Sequence, residues 1–150
     1  MPMRLGTERP EIVGATEWFA QDQLPADLTG KTVLVHFWAV SCHICHETMP
    51  ELIKYRDLYK EQGLQLIGVH QPRYEADSDL ERIKADIEKY GISHPLAVDN
   101  EQKVAEAYQN EYVPAFYLFN AEGKLFFRTA GDKGFEKLQP KIEQALGLQA

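Results

Sequence analysis

Apolar residues follow two alternating rhythms along this chain. Positions 32–38, Thr-Val-Leu-Val-His-Phe-Trp, and 64–70, Leu-Gln-Leu-Ile-Gly-Val-His, are short, nearly continuous apolar runs rich in β-branched residues. That is the pattern of strands buried on both faces. Between them Met49, Leu52, Ile53, Tyr55, Leu58 and Tyr59 form an apolar side, predicting a helix over 42–61 that Gly63 ends. Asp77, Ser78 and Asp79 offer caps for a second helix reaching residue 90, with Leu80, Ile83, Ile87 and Tyr90 as its stripe and Gly91 as its stop. The charges of that helix, Glu81, Arg82, Lys84, Asp86, Glu88 and Lys89, read as a solvated outer face. A short strand at 95–98 and a helix at 100–109 follow. Strands at 115–120 and 124–130 then flank Ala121-Glu122-Gly123, a hairpin signal. A last helix carries Phe135, Leu138, Ile142 and Leu146, with Pro140 placed to bend it or delay its start.

The order β-α-β-α-β-α-β-β-α predicts an α/β fold. Its central sheet is mixed but mostly parallel, flanked by helices, and the closing hairpin adds antiparallel pairing. Residues 1–30 are turn-rich, with Pro10, Gly14, Pro25 and Gly30. They read as an extension, holding at most a short strand or hairpin, that packs on a core of residues 31–150. A chain of 150 residues without repeat, low-complexity tract or linker is the size of one domain.

Charge narrows the partners. The chain has 16 Lys+Arg against 23 Asp+Glu, a net charge of −7, which argues against nucleic acid or an anionic membrane surface. No run approaches the ~20 apolar residues of a membrane span. The first ten residues lack the apolar core of a secretory leader. The expected location is therefore cytoplasmic, or extracytoplasmic where a leader has been trimmed.

The two cysteines, Cys42 and Cys45, form a C-x-x-C pair just after the strand 32–38 and at the start of a helix. A helix N-terminus presents unpaired N–H groups and partial positive charge, which stabilise a thiolate. Cys42, expected to be partly exposed, is the nucleophile. Cys45, a turn deeper, is the resolving thiol. His43 would add a cation when protonated. The string Cys42-His43-Ile44-Cys45-His46 also spells the c-type haem attachment signature, but it follows a buried strand in a βα pattern unlike that of a small helical cytochrome. Cys42, His43, Cys45 and His46, neighbours on one helical turn, cannot all point at one ion, so a tight metal site would need outside ligands and none is expected; thiol exchange implies no bound cofactor either. A thiol peroxidase would need a Pro- and Thr-supported cysteine, and Ala39-Val40-Ser41 supplies neither. The remaining alternative is a redox-silent binding module, against which the intact cysteine pair argues.

These residues resemble the thioredoxin-like superfamily at four positions. Phe37-Trp38-Ala39 ahead of Cys42-x-x-Cys45 is similar to its strand-to-site junction. Pro50 matches the proline that kinks its active-site helix, Val113-Pro114 its cis-proline loop, and Gly131 the glycine after its final hairpin. Residues 26–31 and the stretch 71–113, long enough for an inserted helix and strand, resemble the ResA/TlpA-like thiol–disulfide oxidoreductase branch. The resemblance covers about residues 10–147.

It implies disulfide exchange through Cys42 and Cys45, more in the reducing direction, on a disulfide-containing protein substrate. An upstream thiol protein would serve as electron donor. Val113 beside a cis Pro114 would pair with the substrate backbone, and Trp38 would shield the site and shape the groove. Glu75 lies where that branch keeps an active-site carboxylate, a candidate proton relay. Two departures stand out: His-Ile between the cysteines in place of Gly-Pro, and His36 where thioredoxin has a buried Asp. His36 is therefore either a satisfied core residue or a relay for the Cys45 proton. His70 and Tyr112 stay open between site and ordinary packing. His43 and the helix N-terminus predict a potential somewhat less reducing than the ~ −270 mV of thioredoxin.

Overall fold

A six-stranded sheet organises the computed structural model, which describes residues 2–148. Met1, Gln149 and Ala150, the outer ends of the predicted extension and core, lie outside the described residues. In chain order the strands are β1 (Glu17–Phe19), β2 (Thr32–Trp38), β3 (Leu64–His70), β4 (Leu96–Val98), β5 (Ala115–Phe119) and β6 (Leu125–Ala130). Their spatial order is β1-β4-β3-β2-β5-β6. The β2–β3 and β3–β4 pairs are parallel, while β1–β4, β2–β5 and β5–β6 are antiparallel. The sheet is thus mixed rather than mostly parallel. The predicted extension supplies an edge strand in reverse sense, and β5 enters against β2.

Two apolar layers sandwich the sheet, and β2 feeds both by its two-residue alternation. Leu34 and Trp38 join Met49, Leu52, Ile83 and Phe116 on one face. Val33, Val35 and Phe37 join Val69, Val104, Tyr108 and Tyr117 on the other. The helices are α1 (His43–Tyr59), α2 (Leu80–Tyr90), α3 (Lys103–Tyr108), α4 (Gly131–Phe135) and α5 (Leu138–Ala145). The N-terminal segment lies along the β6 end, where Gly6 N–H donates to the Leu125 carbonyl and Arg9 N–H to that of Gly123, both at 2.8 Å.

Local chemistry sets the helix ends. α3 starts later than the pattern predicts because the Asp99 carboxylate accepts from Val104 and Ala105 N–H at 2.9 and 2.8 Å, fixing the first turn there. The predicted last helix divides into α4 and α5. Pro140 falls in the first turn of α5, where its missing N–H costs no helical bond.

Candidate active site

β2 carries the chain to one end of the sheet, and four residues after its last residue Cys42 caps α1. Cys42 and Cys45 are joined in a disulfide, with Cα atoms 5.2 Å apart, within the span such a bond requires. Cys42 Sγ also accepts from Cys45 N–H at 3.1 Å, and Cys42 N–H donates to the Ala39 carbonyl at 3.0 Å. Contrary to the expected partial exposure, Cys42 is only 3 % exposed and Cys45 not at all. Both sulfurs sit in the apolar cluster with Trp38 and Val40, against which Val113 packs. The Val113 part of that cover comes from a loop distant in sequence, which no local pattern announces.

The Val113–Pro114 peptide is cis. Register pairs Phe37 with Ala115, so one step further brings Pro114 level with Trp38, at the disulfide end of the sheet. The Pro114 carbonyl accepts from Gly131 N–H at 3.0 Å. Asn110 braces the same loop. Its amide donates to Gln71 Oε1 at 2.7 Å and to the Tyr112 carbonyl at 2.9 Å, and its oxygen accepts from the Tyr117 hydroxyl at 2.9 Å. Gln71 N–H in turn donates to the Trp38 carbonyl at 2.8 Å. The cis-proline loop and the end of β2 are therefore tied together through buried amides. Tyr112 itself is exposed.

The other candidates fall in different surroundings. Trp38 is fully buried, edge-on to the His70 ring at 5.0 Å between centroids, so it backs the disulfide and does not line an open groove. His43 is exposed and pairs with Glu47 one turn on. His46 Nε2 meets Asp86 Oδ2 at 2.7 Å and its ring stacks on Tyr90, tying α1 to α2. Within the C-x-x-C-H string, the two sulfurs are thus bonded to each other and the His46 ring is engaged by Asp86. Among the described residues, no group of three or more His, Cys, Asp or Glu side chains converges on a metal position.

His36 is buried with its ring parallel to Phe116, centroids 4.9 Å apart, and neither nitrogen has a hydrogen-bond partner among the described residues. Burial, with His94 nearby, pushes its pKa down to about 3. His94 Nδ1 accepts from Arg56 Nη1 at 3.1 Å. Burial and the adjacent guanidinium push His94 to about 3 as well. His70 Nε2 accepts from Val40 N–H at 3.0 Å, which puts its proton on Nδ1. Burial takes His70 down to about 4, with Asp77 opposing. Glu75 is exposed at the start of a short 3-10 turn, Glu75–Ser78, and no hydrogen bond joins it to the cysteines.

Sequence reasoning passed over Ser41, Arg73, Gln71 and Asn110, and took Asp77 only as a candidate cap. The cap of α2 is Asp79, whose carboxylate accepts from Glu81 N–H at 2.9 Å. Asp77 turns inward and is buried. The one local signal was Ser41, adjacent to the nucleophile.

A disulfide at the junction of a buried strand and a helix, beside a cis-proline on a mixed sheet, defines a thioredoxin-like protein. Residues 6–128 match the AhpC/TSA family, and the chain belongs to it. The thiol-disulfide oxidoreductase YkuV of Bacillus subtilis (strain 168) is 37% identical over 145 residues, covering 96% of this chain and 97% of that protein. The thiol-disulfide oxidoreductase ResA of Bacillus thuringiensis (strain Al Hakam) is 29% identical over 142 residues, covering 95% and 79%. Among solved structures, the solution structure of a thioredoxin-like protein in the oxidized form superposes with a TM-score of 0.85 at 35% identity, covering 99% of this chain and 100% of that one. No helix among the described residues is long and apolar enough to cross a membrane.

Proposed function

We propose that this protein, a thiol–disulfide oxidoreductase by its relatives and its Cys42–Cys45 pair, works as a reductase of protein disulfides. The observation that carries the reading is the disulfide closed at the N-terminus of α1 at the cis-Pro114 end of the sheet. In the dithiol form the Cys42 thiolate attacks one sulfur of the substrate disulfide, forms a mixed disulfide and releases the other substrate sulfur as a thiolate. The Cys45 thiolate then attacks Cys42 Sγ, closes the internal disulfide and releases the second substrate thiol. The substrate gains two electrons and the protein loses two. An upstream thiol protein returns them, and no bound cofactor is required.

Burial supports the reducing direction. A thiolate inside the cluster around Trp38 and Val113 is poorly solvated, which raises thiol pKa and favours the neutral disulfide over the dithiolate. His43 opposes this, and its pairing with Glu47 weakens that opposition. Val113 offers backbone to an extended substrate beside Pro114. Trp38 closes the site from the core side. Neither His36 nor Glu75 hydrogen-bonds to a sulfur, so the reading gives them no proton-transfer step. The same reading places the protein in the cytoplasm, where thiol pools keep such a pair reduced.

The direction is tested by two parallel assays: the dithiol form against insulin, and the disulfide form against reduced, unfolded ribonuclease. Rapid reduction of insulin with little oxidation of ribonuclease is expected. The opposite result would make the protein a dithiol oxidase.

A further inference from the structure

The loop after β3 grips the residue just before the nucleophile through groups that the exchange steps do not use. Arg73 Nη2 donates to the Ser41 carbonyl oxygen at 2.7 Å, and Arg73 Nε to Ser41 Oγ at 3.2 Å. The Ser41 hydroxyl in turn donates to Asp77 Oδ2 at 2.8 Å. The same carboxylate oxygen accepts from the backbone N–H groups of Arg73 and Tyr74 at 2.8 and 3.2 Å. Burial pushes the Asp77 carboxyl up, but these donors outweigh it and hold the group below its ordinary value. Asp77 is therefore ionised at neutral pH, and it fixes the loop that presents Arg73.

Arginine stays protonated throughout the accessible range and offers a rigid fork of donors. Here the fork spans the carbonyl and side chain of residue 41. A permanent positive charge therefore lies one peptide away from Cys42. A fixed cation beside a cysteine favours its thiolate, and two hydrogen bonds to the preceding residue fix where that cysteine sits. Asp77, Arg82, His70 and Tyr74, whose ring lies 5.4 Å beneath the guanidinium, are the other ionisable groups around the clamp. Arg82 lies 3.8 Å from Asp77 Oδ1 and offsets part of its charge. His70 is neutral, its Nε2 holding the Val40 N–H.

We propose that Arg73 is a positioning residue for disulfide exchange: locked onto Ser41, its guanidinium sets the placement of Cys42 and biases the sulfur toward the thiolate. The proposal rests on the thiol–disulfide reading of the cysteine pair. It differs from the helix N-terminus and His43, because the charge comes from a loop remote in sequence and is held by Asp77.

Wild type, Arg73→Gln, Arg73→Lys and Ser41→Ala are compared in three measurements. These are the pH dependence of Cys42 alkylation in the reduced protein, the equilibrium constant against glutathione, and thermal unfolding. Arg73 is exposed, so Arg73→Gln is expected to unfold at the wild-type temperature. Its alkylation midpoint is expected to rise by about half a unit, with the glutathione equilibrium moving up to about threefold toward the disulfide. Ser41→Ala, which removes one of the two anchors, is expected to shift both in the same direction by less. Arg73→Lys is expected to recover most of the shift, and 1 M salt to shrink the difference from wild type. A wild-type midpoint and equilibrium constant in Arg73→Gln would overturn the proposal. A shift that Arg73→Lys fails to recover and that salt leaves unchanged would also overturn it. Absence of any reversible transition in the wild type would instead remove the underlying exchange reading.

Discussion

Replacing Cys45 with serine is expected to stop the reaction halfway and leave the protein covalently joined to its substrate through Cys42. The disulfide between Cys42 and Cys45 places the second sulfur where it displaces product from the first. A serine hydroxyl at residue 45 cannot do this, so the mixed disulfide persists. Turnover is expected to fall by roughly 10³-fold or more, the scale seen when one member of a covalent catalytic unit is lost. Cys42→Ser is expected to be equally inactive but to form no adduct, because Cys45 is wholly buried and cannot reach an outside sulfur. Intact-mass measurement after mixing each variant with a disulfide-linked protein separates the two outcomes. An adduct on Cys42→Ser, or wild-type turnover by Cys45→Ser, would reverse the assigned roles.

Mild acid is expected to be the second large perturbation, this time of stability. His36, His70 and His94 are buried, with pKa values pushed down to about 3, about 4 and about 3. Unfolded histidine titrates near 6.5. Between those values the unfolded chain binds protons that the folded chain does not, so stability rises with pH across this window. Their contribution is complete above about pH 6.5 and is lost as pH falls toward 3–4. Near pH 5 each group costs about 1.4 kcal/mol per pH unit, or about 4 kcal/mol per unit for the three. That loss is comparable to a typical stability of about 5–15 kcal/mol, so the fold is expected to be strongly destabilised as pH falls toward 4. Asp77, held below its ordinary value, adds its own loss only at still lower pH. Urea unfolding at a series of pH values reads the slope directly. His36→Leu is expected to reduce proton uptake on unfolding by about one. A stability that stays flat from pH 6.5 to 4.5 would show that these rings are not held neutral in the fold.

The regular elements were legible because their signals are local. The two central strands occupy residues 32–38 and 64–70, as their apolar runs predict; α2 stops where Gly91 adopts φ of 69°, and α1 passes at Tyr59 into a 3-10 turn, Lys60–Gln62, that Gly63 closes at φ 105°. The ends of α3 and the division of the last helix were not legible, since the first depends on which way the Asp99 side chain turns and the second on a break between residues 135 and 138. The cysteine pair and Val113-Pro114 stand out by residue type and spacing.

The polar frame around them does not. Glu75 and Asp77 lie two residues apart in one 3-10 turn, yet one faces water and the other receives Ser41, Arg73 and Tyr74. Asn110 and Gln71 meet across 39 residues of chain. Loop residues carry no periodicity, so what they face is decided by tertiary closure. The Val113 part of the cover over Cys42 has the same origin, and burial moved the expected potential. His43 and the helix N-terminus by themselves predict a pair somewhat less reducing than thioredoxin, whereas burial favours a more reducing one.

Disulfide exchange by this protein requires that Cys42 and Cys45 form one reversible two-electron couple. Titration against glutathione or dithiothreitol buffers at pH 7, followed by tryptophan fluorescence and by alkylation with mass readout, tests this most directly. A single two-electron transition is expected near the thioredoxin value of about −270 mV, with the thiols counted after denaturation falling from two to none in one step. A protein that shows no reversible transition, or in which one cysteine is oxidised in a step separate from the other, would contradict this.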